Sequence, residues 1–381
     1  MMFEQLDRIA NLPSPENTRF IPVSSLEEVA MNLQESDEEN RYEYYLVQIR
    51  HPKVKPADPV REPPPAPRAP VSNATAEESA ATPSFKAEKD DIPYLSENAD
   101  LLLQAGEVNL ARNIYRAILK SGEASDLAYA GLAACSDKEG LIEQAIQFAW
   151  DSVAFAPNKK GYQILSQLLV QQGRDQEAAQ ALGRALRSLE LSIQEKAEYH
   201  KMIGNCLSRL GQNSEAERSY RKALELSPAS DEVQSNLGSL YLEQGQIPEA
   251  KRCYQDAIAA NPANDKALVG LGLCFVSEGD KEAAHEAFAR SLEKNLRNST
   301  AIFHLVKCAY EIKKYATAEK MLSNYVEVAP VSPSLLYSLA GLQFHVGKKK
   351  EASNTARRIL QIKGDHQGAR DLMSRIEAEE A

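Results

Sequence analysis

The chain has 381 residues, with 54 Asp and Glu against 44 Lys and Arg and a formal net charge of −10. The excess is uneven: residues 1–91 hold 17 acidic and 10 basic side chains, and the remainder holds 37 and 34. That balance argues against a general nucleic-acid binder, which needs clustered cations to displace counterions, and no run reaches the roughly 18 uninterrupted apolar residues of a membrane helix. The opening MMFEQLDRIANLPSPEN lacks the basic and apolar regions of a signal peptide. The expectation is a cytoplasmic protein with no membrane insertion.

Residues 1–50 read as a docking segment or partly ordered tail. Ser24 and Glu27 stand at capping-box spacing, with Val29, Ala30 and Leu33 as an apolar face behind them. The run Tyr42–Ile49 is aromatic and β-branched, the pattern of a strand. One helix and one strand in about 50 residues rarely support an independent core, so folding on a partner is the sharper alternative. Residues 51–91 read as a flexible linker, with eight prolines between Pro52 and Pro70. Arg61, Pro64 and Pro67 match an SH3-ligand pattern that any proline-rich spacer meets by chance.

From residue 92 the sequence repeats. In Asp231–Asn264, Leu237, Gly238 and Tyr241 lie on a first amphipathic helix that Gly245 ends. Ala250, Tyr254 and Ala257 share one face of a second helix that Asn261 and Pro262 stop. The small residue recurs at Ala111, Ala145, Ala178, Ala216, Ala250, Ala284, Ala318 and Ala352, with steps of 33 to 38 residues. Five positions earlier stands a glycine each time, except for Lys313. The 38-residue step adds Ile193–Lys196, about one helical turn, which should lengthen a helix or kink the stack. Cys135, Cys206, Cys274 and Cys308 take the tenth place of their repeats, a seam position suited to a small apolar side chain. No cysteine pair has metal-ligand spacing, and no metal or other cofactor is expected.

The Leu-Gly, Tyr, Gly, Ala, Tyr, Ala, Pro series closely resembles the tetratricopeptide repeat family. The resemblance implies an all-α, right-handed superhelical solenoid of stacked antiparallel helix pairs over 92–381. Eight repeats and a capping helix at 367–381 are expected, with a largely disordered N-terminal region before them. It also implies that first helices line a concave surface.

Two rows of candidate partner-binding residues follow. Lys201, Asn205, Asn236 and Lys266 fall where co-chaperone repeats of this family hold the C-terminal carboxylates of heat-shock chaperones, but Gly270 stands in the arginine position of that clamp. Phe303, His304, Lys307, Tyr310, Tyr337, Phe344 and His345 would project toward the concave side of the last two repeats as anchors for a peptide or helix. Packing between repeats is the alternative for Phe303, Tyr310 and Phe344. Two histidines, His304 and His345, make a poor metal site. Cations near the end, including Lys348, Lys349, Lys350 and Arg375, could receive the acidic run Glu35–Glu39 of the same chain.

No phosphate loop or nucleophile elbow is present. The expectation is a non-catalytic adaptor or scaffold that binds a protein or peptide in the groove, with the N-terminal tail as a second contact. The alternatives are a co-chaperone or secretion chaperone holding an acidic tail or unfolded client, and a regulatory subunit of an enzyme complex.

Overall fold

The computed structural model describes residues 91–380. The helix, strand and linker expected before residue 91 lie outside them. Among the described residues there are 17 helices and no strands. The boundary between Pro228 and Ala229 divides the chain into two compact units.

The first unit holds α1 (Ile92–Gln104), α2 (Val108–Ser121), α3 (Ser125–Lys138), α4 (Ile142–Phe155), α5 (Lys159–Gln171), α6 (Asp175–Ser188), α7 (Ile193–Arg209) and α8 (Asn213–Leu226). The second holds α9 (Asp231–Glu243), α10 (Ile247–Ala260), α11 (Asp265–Glu278), α12 (Lys281–Lys294), α13 (Ser299–Ile312), α14 (Tyr315–Val328), α15 (Pro333–His345), α16 (Lys349–Ile362) and α17 (Gln367–Glu380). Within each unit every helix packs on the next, and first helices also touch the next first helix, as α1 on α3 and α9 on α11. This is the helix-pair stack, in which each pair covers an apolar face its neighbour cannot bury alone. The inserted Ile193–Lys196 is absorbed as length: α7 has 17 residues where the other helices have 13 or 14.

The local causes are visible residue by residue. All eight small residues of the second helices, Ala111 through Ala352, are fully buried where two helices meet closely. Side-chain caps start many of the first helices: Asn158, Ser230, Asn264, Asn298 and Ser332 each accept a bond from an N–H of the first turn. Ser192 and Glu195 form a reciprocal capping box on α7. At the turn after α13 the glycine is replaced by Lys313, which is left-handed at φ 58°, the only non-glycine residue with positive φ among those described.

The loops are tied back to the preceding first helix. Asn261 and Asn264 both donate to the Asp231 carboxylate at 2.8 Å, and Asn295 and Asn298 donate to Asp265 at 2.9 and 2.8 Å. The four seam cysteines and Cys253 are buried free thiols, and burial pushes the Cys135 thiol up to about 11 and Cys206 to about 12.

Candidate functional site

Lys201 and Asn205 stand on α7 of the first unit, Asn236 and Lys266 on α9 and α11 of the second. Lys201 pairs with Glu198 one turn away, at 2.9 Å. Asn205 accepts the Tyr220 hydroxyl at 2.8 Å. The same fifteen-residue spacing joins the Tyr115 hydroxyl to Asp100 and the Tyr254 hydroxyl to Ser239. The slot that holds Asn205 is therefore one from which a first helix satisfies the phenol of its second helix. Asn236 is half-buried and Lys266 exposed.

Gly270 explains the missing arginine. The Tyr254 ring is 1% exposed and lies between two glycines, with a Cβ on Gly238 reaching within 2.9 Å of it and a Cβ on Gly270 overlapping it outright. The glycine belongs to aromatic packing, and any side chain there displaces the ring.

The aromatic row is partly gathered. On α13, His304 stacks on Phe288 of α12 at 5.1 Å between centroids, and Phe303 meets His304 edge-on at 5.1 Å. Burial, assisted by the nearby Lys307 charge, holds His304 down to about 4, so the ring is neutral at pH 7. A second cluster joins α13, α14 and α15. His345 stacks on Tyr315 at 4.5 Å, Tyr310 meets both rings edge-on at 5.6 and 5.7 Å, and Phe344 lies 5.9 Å from His345. Arg375 of α17 covers the Phe344 ring at 5.2 Å. Phe303, Tyr310 and Phe344 are half-buried and His345 is exposed. His304 and His345 fall in separate clusters, and among the described residues no group of side chains has the makings of a metal site.

Tyr337 departs from the expectation. It is 5% exposed, packs with Leu336, Ala356, Ile359 and Ala369, and sits 5.2 Å from His366. Its ring belongs to the core between α15, α16 and α17, because the last pair needs a large side chain to close on the capping helix. Tyr315, Phe288 and Arg375 escaped the search for groove residues, Arg375 having been read only as one of the C-terminal cations. The first two lie on second helices and the third on the capping helix, so a search along first helices passes over them.

The C-terminal cations are largely engaged. Lys348 bonds both Glu319 oxygens at 2.9 and 2.8 Å, Lys349 pairs with Glu379 at 3.0 Å, and Arg375 also reaches Glu379 at 3.8 Å. Among the described residues no helix is long and apolar enough to cross a membrane.

Stacked helix pairs with buried small residues and partly exposed first-helix aromatics define a class: an all-α repeat scaffold for protein or peptide interaction. Residues 204–245 match a family model described as TPR repeat, and residues 235–300 match one described as tetratricopeptide repeat. Residues 204–300 therefore carry tetratricopeptide repeats, and the same helix pairing continues on either side of them. No curated protein matches it by sequence. Among solved structures, a tetratricopeptide repeat protein from Parabacteroides merdae is 15% identical over 66% of this chain and 99% of its own, with a TM-score of 0.45. The structure titled for Pseudomonas aeruginosa pilF is 18% identical over 56% of this chain and 96% of its own, at 0.43. YrrB, described as a TPR protein with an unusual peptide-binding site, is 21% identical over 53% and 100%, at 0.39.

Proposed function

We propose that this protein is a non-catalytic adaptor whose second unit binds a peptide or helix against the aromatic residues of α13 and α15. The observation that supports this reading is the cluster of half-buried Tyr310, Tyr315 and Phe344 with exposed His345, and Arg375 over its edge. Rigid aromatics with a cation beside them suit an apolar anchor flanked by a polar or acidic group. Phe303 and Lys307, two turns and one turn before Tyr310 on α13, extend the surface toward α12. In this reading the clamp row Lys201, Asn205, Asn236 and Lys266 contributes little, because Lys201 and Asn205 already hold internal partners and Gly270 cannot become a cationic fork.

Peptide display on the full chain, followed by titration of a recovered peptide, tests it. Phe344→Ala with Phe303→Ala should weaken binding roughly tenfold or more, while Lys201→Ala with Lys266→Ala should leave it nearly unchanged. The reverse pattern would favour the co-chaperone reading and discard this one.

A further inference from the structure

The one break in repeat length coincides with an open cleft of about 430 Å³ in the first unit, between α6, α7 and α8. Leu186 and Ile203 are its apolar lining, and Gly183 on α6 adds no side chain to it. Its rim is cationic: Arg187 from α6, Lys196 from α7, and Arg218 and Lys222 from α8. Lys196 comes from the four inserted residues, so the insertion that disturbs the period supplies one of the four charges.

Among the described residues, the side chains of Arg187, Lys196, Arg218 and Lys222 make no ion pair or hydrogen bond. Nearby, Arg221 pairs with Glu217, and Lys201 with Glu198. His200 also lines the cleft, and burial with the charge of Lys222 lowers its pKa, against a smaller opposing effect from Glu225. The four cations are exposed, so water screens their repulsion in part, and a bound anion would relieve the remainder.

We propose that the acidic run Glu35–Glu39 of the same chain docks in this cleft. The run offers four carboxylates, Glu35, Asp37, Glu38 and Glu39, to four unneutralised cations, and Leu33 and Tyr42 flank it as apolar side chains for the Leu186–Ile203 floor. The chain from Glu39 to Ile92 has a contour of about 170 Å at ~3.3 Å per residue, several times the roughly 25 Å length of the longest helix in the unit. Tethering sets the effective concentration near the millimolar range, so a weak contact is occupied. Of the C-terminal cations, Lys348, Lys349 and Arg375 already face Glu319 and Glu379. A docked run would compete with acidic partner peptides for the cleft. This proposal stands apart from the aromatic surface of the second unit.

Zero-length carbodiimide coupling of the dilute full chain, read by mass spectrometry, tests it. The expected products join Glu35–Glu39 to Lys196 or Lys222 within one chain. Their yield should fall roughly fivefold in about 0.5 M salt, which screens exposed pairs, and similarly in Arg187→Ser/Arg218→Ser, which keeps both coupling lysines. In a second arm, a synthetic peptide of residues 30–45 should bind the full-length variant Glu35→Gln/Asp37→Asn/Glu38→Gln/Glu39→Gln roughly tenfold tighter than the wild type, whose own run occupies the cleft. Coupling to Lys348–Lys350 instead, products only between chains, a yield indifferent to the arginine changes, or equal peptide affinity for both proteins would each overturn the proposal.

Discussion

Two sets of polar side chains in the first unit have opposite fates. Lys201 and Asn205, on the first helix α7, fall in slots where the family holds ligands, yet one is paired with Glu198 and the other holds the Tyr220 hydroxyl. Arg187, Lys196, Arg218 and Lys222, on the neighbouring cleft, fall in no ligand slot of the family and have no partner among the described residues. A family position states where a ligand-binding residue can stand. Whether the side chain is available depends on what its own helix pair asks of it.

The sharpest way to break this contrast is to build the missing clamp. Gly270→Arg would drive a side chain into the Tyr254 ring and bury a charge, so it should destabilise the second unit by more than about 3 kcal/mol in denaturant unfolding, and should create no carboxylate affinity. A well-folded variant with new affinity would show that the glycine is a choice and not a requirement. Next is an ion pair wholly committed to the fold. Asp175, 7% exposed, accepts the Arg209 guanidinium with both oxygens 3.0 Å from Nε, so Asp175→Ala should cost about 3 kcal/mol by stranding that cation.

The effect of pH is smaller and has a defined sign. An unfolded histidine titrates near 6.5, whereas His304 in the fold is held down to about 4. The unfolded chain takes up that proton first, so stability contributed by neutral His304 is complete above about 6.5, declines as pH falls, and levels off below about 4. The loss should be at most about 3 kcal/mol over that whole range and should vanish from the pH profile of His304→Phe. Asn205→Ala should cost about 1 kcal/mol, and less in Tyr220→Phe, where the bond between the two is already gone. Smallest of all, Arg187→Ser should shift stability by less than about 0.5 kcal/mol, because the fold makes no use of the charge.

Much of this architecture is legible in residue spacing. The eight alanines predict eight close helix crossings, and all are fully buried. The glycines five places earlier predict left-handed turns, and Lys313, the exception in that series, adopts the same conformation. The functional surfaces are less legible because they depend on side-chain company. The cleft takes its cations from Arg187, Lys196 and Arg218, three helices whose proximity a linear pattern does not display. Tyr337 and Tyr310 both look like surface aromatics of first helices. Tyr310 joins a half-exposed ring cluster, while Tyr337 is drawn inward by Ile359 and Ala369. The role of Gly270 is hidden until the Tyr254 ring is placed against it.

The most direct test is a titration of the full chain with one acidic peptide in two forms, a free C-terminal carboxylate and its C-terminal amide. If the clamp slots are committed to the fold, both forms bind alike and Lys201→Ala changes neither. A roughly tenfold preference for the free carboxylate, lost in Lys201→Ala, would contradict the account and restore the clamp as the working site.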